Sequence, residues 1–238
     1  MQWVIILIIA SEESLTSTRP FIDAVVRSLQ IDDDATSDDA VALRLTLALH
    51  GCGAPTDLFP LLTDPQHLVR WYGPVTVDGG EGGAFTAPGG VHGTIRSVQS
   101  PHRVDLTWEY EGRADELTLR IDPTDDGSSS LLIEHSLAMP AEVFAQYGPG
   151  AAALGWEIAL MGFARYAEIG GDASIAACAA DLPAPDPVWL ASEDGAQTVR
   201  AWAIRWAAAA IAAGVPEATA RVGEENTVRA YTPQAAQS

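Results

Sequence analysis

The spacing of apolar residues changes its period once along this chain, after Gly150. Between Val41 and Leu137, apolar and polar residues alternate in short runs separated by turn-forming residues, which is the period of half-buried strands. Two short helices interrupt this pattern after the first strand: one is predicted over Thr56–Leu62, and a second restarts at Thr63-Asp64-Pro65 and runs to Trp71. From about Ala151 to Ile169 the apolar residues recur three and four apart, as in an amphipathic helix. Strands joined by short turns pair antiparallel, and a strongly curved sheet needs a large element to cover its concave face. The sequence therefore predicts an α+β fold in which a curved antiparallel sheet wraps around a long C-terminal helix.

The segments on either side of this pattern are predicted to be extensions of one domain, residues 41–170. We expect residues 1–40 to be an N-terminal extension that is partly disordered. It would contain a short helix over Pro20–Leu29 and an acidic linker over Asp32–Asp39. Residues 171–238 are predicted to be a helical C-terminal extension.

The first apolar run of the chain, Trp3–Ala10, is far shorter than the roughly 20 residues of a membrane span. No basic residue precedes it, as one would in a secretory signal. It is interpreted as a short strand, an exposed tail or a consequence of start-site choice. Because the alternating core begins only at Val41, we expect deletion of the residues up to Ser37 to leave the fold intact.

The C-terminal extension contains three helical patterns and a proline-rich connector over Pro183–Pro187. The predicted helices are Ala173–Ala180, Gln197–Ala213 and Pro216–Tyr231. Trp202 and Trp206 lie four residues apart on the second of these helices. Two indoles left in water would form a large apolar patch, so we expect this extension to pack on the domain with both tryptophans partly buried.

Charge and residue types exclude several classes of function. The net charge of −19 argues against nucleic-acid binding and against anionic membrane surfaces. All thirteen basic residues are Arg, so Schiff-base lysine chemistry and P-loop phosphate binding are excluded. Cys52 and Cys178 form no close pair, which fits a reduced, cytoplasmic protein. The five His show no metal-ligand spacing, so we expect neither a metal nor another cofactor.

Several short motifs resemble, in order and spacing, those of the START-like SRPBCC superfamily. They are Thr63-Asp64-Pro65 with Leu68 and Trp71-Tyr72-Gly73-Pro74, then Gly83-Ala84-Phe85, Gly93-Thr94-Ile95, Leu106-Thr107-Trp108 and Tyr147-Gly148-Pro149-Gly150. They are similar in particular to the branch named after the activator of the ninety-kilodalton heat-shock protein ATPase, in a form common in actinobacteria. The resemblance covers roughly Val41 to Tyr231 and implies a helix-grip fold with a cavity between sheet and helix.

The chain also departs from that pattern. The first strand of the family is usually more polar and basic on its outer face, whereas here Arg44 is the only charge before His50. Two-domain eukaryotic co-chaperones of this branch carry a separate N-terminal chaperone-binding domain, and the segment before Val41 is too short for one. A chaperone partner is therefore an alternative that this departure argues against.

The resemblance and the strand and helix periods together nominate residues for the cavity lining. These are Trp71, Trp108, Tyr110, His135, Trp156, Leu160 and Met161, around a pocket expected to hold about 300 Å³ or more. For any single one of these tryptophans, plain core packing is the preferred alternative. His135 shares its strand face with apolar residues, so it would orient a ligand, act as an acid or base, or be a satisfied structural residue.

Six other residues enter the prediction. His92 and Arg96 share a strand parity and are possible polar groups of the cavity. Gly155 and Gly162 would let the long helix approach the sheet closely. The acidic residues nearest this helix, Glu142 and Glu157, are expected on its solvent-exposed surface.

Three functions follow in order of preference. The first is a module that binds a hydrophobic or amphipathic small molecule, since no catalytic signature is present. The second is a START-like enzyme such as a polyketide cyclase, which would need inward-facing polar groups. The third is a regulator of a chaperone ATPase. The expected partner is a small hydrophobic ligand, and a homodimer is left open.

Overall fold

The computed structural model describes residues 18–170 and 181–232. Within these residues the sheet has eight strands, and every neighbouring pair is antiparallel. The strands are β1 Val25–Ile31, β2 Ala40–Cys52, β3 Thr76–Asp78, β4 Ala84–Thr86, β5 His92–Gln99, β6 Arg103–Tyr110, β7 Arg113–Pro123 and β8 Ser129–Pro140. Their spatial order is β1-β2-β8-β7-β6-β5-β4-β3, so β8 lies between β2 and β7.

The helices lie between and after the strands. Residues 18–24 are helical and are called α1, and the later helices are α2 Pro55–Thr63, α3 Pro65–Trp71, α4 Ala141–Tyr147, α5 Gly150–Gly170, α6 Pro187–Leu190, α7 Glu193–Ala212 and α8 Glu217–Tyr231. The long helix α5 covers the apolar face of the sheet, where Leu45, His135 and Leu117 lie side by side on β2, β8 and β7. The predicted α+β fold, with a curved antiparallel sheet around a long helix, is confirmed.

The predicted helix over Pro20–Leu29 is wrong in its second half. Only residues 18–24 are helical, and Val25–Ile31 form the edge strand β1, paired with β2 over seven residues. Val25 and Leu29 are buried on the face that meets α5, and Arg27 lies between them on the same face. The charged Arg27 at an inward position interrupts the alternation of apolar and polar residues that would have indicated a strand. The sheet therefore begins before Val41, and the acidic run expected to be a linker is the β1–β2 connection.

That connection is held by its first aspartate. The Asp32 carboxylate accepts hydrogen bonds from the backbone N–H groups of Asp34 and Ala35 at 3.1 and 3.2 Å. The Asp32 carbonyl oxygen also accepts a bond from the hydroxyl of Thr36. Asp favours such turns because its short side chain can bond to the backbone two or three residues on.

The residue at the inward position of β1 makes a buried ion pair with the long helix. The Arg27 guanidinium donates to both carboxylate oxygens of Glu157, at 2.5 and 2.9 Å. The two side chains are 4% and 0% exposed. The indole N–H of Trp206 on α7 donates to the same carboxylate at 2.8 Å. The expectation that Glu157 lies on the helix surface is wrong, because β1 and α7 together cover that side of α5.

The C-terminal extension packs where the sequence analysis expected, and more deeply. The predicted helices Gln197–Ala213 and Pro216–Tyr231 correspond to α7 and α8, and Trp202 and Trp206 are fully buried. The side chains of Asp23 on α1 and Arg205 on α7 form an ion pair. Both extensions thus share one core with α5. The predicted helix Ala173–Ala180, the run Trp3–Ala10 and Cys178 lie outside the described residues.

The buried ion pair gives a first prediction. Arg27→Met leaves the Glu157 carboxylate buried without its cation, so the free energy of unfolding should fall by about 3–5 kcal/mol. In the double variant Arg27→Met/Glu157→Gln no buried charge remains, and the Gln oxygen still accepts from Trp206. The double variant should therefore be more stable than Arg27→Met alone. Urea unfolding followed by circular dichroism measures both.

The matched control is Arg96→Met, which removes an exposed guanidinium and should change the unfolding free energy by less than about 0.5 kcal/mol. Equal stabilities of Arg27→Met and the parent protein would contradict the assignment of β1 to the core.

Because β1 is part of the core, deletion of the N-terminal residues is no longer expected to leave the fold intact. A chain that lacks residues 1–37 loses β1, the Arg27 partner of Glu157 and the buried residues Phe21 and Ile22. We expect it to lose cooperative thermal unfolding and the near-ultraviolet circular dichroism of its tryptophans. A truncated chain that melts as sharply as the full chain would show that β1 is dispensable.

Candidate functional site

The sheet, α2–α3 and α5 border a partly open cavity of about 290 Å³. Strands β3 to β8 supply apolar side chains to one side of it, α2 and α3 form a wall, and α5 closes the other side. On α5 the lining residues are Trp156, Ala159, Leu160 and Phe163, which recur three and four apart. The neighbouring stripe, which contains Glu157, faces β1 and α7, so this stripe is the one left to face the cavity.

The structure places four of the seven predicted lining residues on the cavity. Trp71 reaches it from the end of α3, Trp108 from β6, and Trp156 and Leu160 from α5. Trp108 and Trp156 pack against each other with their ring centroids 5.1 Å apart. Trp71 is held by a hydrogen bond from its indole N–H to the Leu61 carbonyl oxygen at 2.9 Å. These indoles are therefore fixed walls rather than loose side chains.

His135 lies behind the cavity wall and does not line it. Its Nδ1 accepts a hydrogen bond from the Trp156 indole N–H at 3.0 Å, so the ring proton resides on Nε2. Nε2 is 3.4 Å from a carboxylate oxygen of Asp115, a contact that is electrostatic because its geometry does not make a hydrogen bond. Trp156 stands between His135 and the cavity. The arrangement makes His135 a residue that orients Trp156.

Met161 and Tyr110 lie away from the cavity. Met161 is fully buried, but it follows Glu157 by one helical turn and shares its side of α5. Tyr110 is at the end of β6 and is 39% exposed. The prediction assumed that the whole apolar face of α5 turns toward the sheet, whereas that face is divided between the cavity and the second core formed with β1 and α7.

The two glycines of α5 have unequal roles. Gly155 is exposed and has open space around it. Gly162 is buried, and a Cβ there would lie 3.0 Å from the Trp71 carbonyl oxygen. Gly162 therefore admits the end of α3, and the expected close approach of both glycines to the sheet is wrong.

His92 and Arg96 both face solvent. The sheet register shifts between Ile95 and Ser97, so Arg96 lies at a bulge. His92 pairs with Glu109 across the strands, 3.5 Å from its carboxylate. Neither reaches the cavity. The two residues share a strand parity as predicted, but Ile95, of the opposite parity, lines the cavity, so their side of the strand is the solvent side.

Tyr72, which lies in the motif Trp71-Tyr72-Gly73-Pro74 but was not among the predicted lining residues, also lines the cavity. Its backbone N–H caps α3 by donating to the Leu68 carbonyl oxygen, and its ring packs edge-on against Trp71. Burial raises the pKa of the phenol to about 12, so the hydroxyl is protonated throughout the physiological range. The position of Tyr72, directly after the inward-facing Trp71 at the end of a helix, could have indicated that Tyr72 also lines the cavity.

The cavity is lined by apolar and aromatic side chains and has no charged group with which to carry out chemistry. None of its lining residues carries a charged side chain. In residues 18–170 and 181–232, no three His, Cys, Asp or Glu side chains come together as a metal site, and the absence of a metal stays a prediction. Over the same residues, no helix has both the length and the apolarity for crossing a bilayer.

Comparisons with known proteins agree with this architecture. Residues 54–168 match the family model described as Activator of Hsp90 ATPase homolog 1-like protein. The crystal structure of CalU16 from Micromonospora echinospora matches 61% of this chain and 87% of its own, with 24% identity and a TM-score of 0.50. For the solution structure of CalU16 the coverages are 80% and 97%, with 24% identity and a TM-score of 0.54.

A third structure, the Aha1 dimer from Colwellia psychrerythraea, covers 53% of this chain and 97% of its own at 14% identity, with a TM-score of 0.45. No curated protein matches the chain. At 24% identity, the likeness to CalU16 shows a shared fold.

The contact between His135 and Trp156 gives a prediction for the cavity wall. His135→Phe leaves the Trp156 N–H without an acceptor, and the unfolding free energy should fall by about 1–3 kcal/mol. His135→Gln keeps an acceptor near that position and should lose less. Urea unfolding, with near-ultraviolet circular dichroism to report on tryptophan packing, measures the difference. His92→Gln, at an exposed histidine, is the control, and equal effects at the two positions would contradict the orienting role.

Proposed function

Because residues 54–168 match the family model described as Activator of Hsp90 ATPase homolog 1-like protein, and because a cavity lies between the sheet and the long helix, we propose that the chain binds a small hydrophobic or amphipathic molecule in that cavity. The observation that carries the proposal is the cavity of about 290 Å³, close to the lower end of the range of about 300–1,000 Å³ for ligand pockets. Its lining is almost wholly apolar and aromatic.

The apolar walls of this space support a functional reason for it. Water against apolar side chains finds few hydrogen-bond partners, so a ligand that displaces it would gain apolar contact. The indoles of Trp71 and Trp156 are fixed by hydrogen bonds to the Leu61 carbonyl oxygen and to His135, so they are not free to collapse into the space.

The lining supports binding over catalysis. A cyclase-like enzyme needs an acid or base within hydrogen-bonding reach of its substrate. His135, the predicted candidate, is covered by Trp156, and His92 and Arg96 face solvent. Regulation of a chaperone ATPase, which the family description names, stays the alternative, and no feature of the described surface favours it over ligand binding.

Filling the cavity tests the proposal. The parent protein should enhance the fluorescence of the neutral hydrophobic dye N-phenyl-1-naphthylamine, and Ala159→Trp should abolish the enhancement because its indole occupies the space. The melting temperature of this variant should stay close to that of the parent, since the added side chain enters a void.

Two tryptophan controls accompany it. Ala208→Trp makes the same change at an exposed position of α7 and should leave dye binding intact. Met161→Trp places the indole in the packed core behind the cavity and should destabilise by about 1–3 kcal/mol. No dye binding by the parent, or unchanged binding by Ala159→Trp, would overturn the proposed function.

A further inference from the structure

Some polar groups of the cavity-lining residues already make hydrogen bonds within the protein, and others do not. The Thr63 hydroxyl donates to the Phe59 carbonyl oxygen at 2.8 Å. The indole N–H of Trp71 and that of Trp156 are bonded to the Leu61 carbonyl oxygen and to His135. Two polar side chains remain, Tyr72 and Trp108, and neither makes a hydrogen bond to any residue of the described chain.

Of these two residues, Tyr72 has its backbone position fixed by the turn that ends α3. Its N–H is bonded to the Leu68 carbonyl oxygen at 2.8 Å, and so is the N–H of Gly73 at 2.9 Å. Gly73 has φ of +129°, and a Cβ there would lie 2.7 Å from a side-chain atom of Pro88. Only glycine fits this turn, which fixes where the preceding tyrosine leaves the helix. The Tyr72 ring then packs at 62° against Trp71, with centroids 5.6 Å apart.

The free groups define what a ligand must carry. An indole N–H is a donor only, and a half-buried phenol whose pKa is about 12 stays protonated and can donate. A ligand with a hydrogen-bond acceptor would satisfy such a donor, whereas a purely apolar ligand would leave it buried without a partner. A carboxylate or an ammonium group would lose its hydration without gaining a counter-charge, since no lining side chain is charged.

We propose that the Tyr72 hydroxyl is the hydrogen-bond donor that orients the ligand, and that the ligand is an uncharged, mainly apolar molecule carrying an acceptor such as a ketone or ester carbonyl. This inference rests on the proposed function of the cavity. It makes Tyr72 a specificity-determining residue, and it excludes free fatty acids and amines as preferred ligands.

A matched pair of probes tests it. 2-Acetylnaphthalene and 2-ethylnaphthalene have nearly the same size and shape, and only the first carries an acceptor. Binding is followed by quenching of tryptophan fluorescence at pH 7. The parent protein should bind the ketone about 5–10-fold more tightly than the hydrocarbon, the range expected for one net hydrogen bond. Tyr72→Phe should weaken binding of the ketone by the same factor and leave binding of the hydrocarbon unchanged.

Tyr110→Phe removes the same hydroxyl from an exposed tyrosine outside the cavity and should change neither affinity. If the parent binds neither probe, the proposed function and this inference both fail. If the parent binds both probes equally, or if Tyr72→Phe weakens both to the same extent, the role of Tyr72 is overturned while binding in the cavity stands. The comparison of the two probes on the parent needs no variant to fold.

Discussion

Arg27 and Glu157 meet where β1, α5 and α7 converge, in a part of the core that is closed to solvent. Bringing two charges into such a place costs several kcal/mol per ion, which only close pairing and further hydrogen bonds offset. Here the Glu157 carboxylate accepts hydrogen bonds from the Arg27 guanidinium and the Trp206 indole N–H. The guanidinium also donates to the carbonyl oxygens of Ile22 and Val25. The edge strand, the long helix and the C-terminal extension are thereby fixed in one arrangement.

The cavity is a consequence of that arrangement. Because one stripe of α5 is committed to β1 and α7, the stripe of Trp156, Ala159, Leu160 and Phe163 is what remains for the sheet. Trp156 is in turn held by His135, and Trp71 by the end of α2. The walls are stiff, so the space between them is kept open rather than filled by relaxation.

Much of this could be predicted from sequence, and the failures share a physical cause. The change of period after Gly150 was enough for the sheet and its covering helix, because burial of a regular element leaves a regular apolar pattern. β1 was missed and Glu157 was misplaced because each places a charge inside the core, where the pattern expects an apolar residue. His92 and Arg96 were misplaced because parity alone does not tell which side of a strand is inward, and Ile95 takes the inward position there. The division of α5 into two buried stripes depends on tertiary partners that local spacing does not reveal.

The indole N–H groups offer the most direct test of binding in the cavity. In two-dimensional ¹H–¹⁵N spectra, titration with N-phenyl-1-naphthylamine should shift the indole signals of Trp71, Trp108 and Trp156, which line the cavity. The signals of Trp202 and Trp206, buried on the other side of α5, should stay in place. Shifts confined to Trp202 and Trp206, or no shift at saturating dye, would contradict the account.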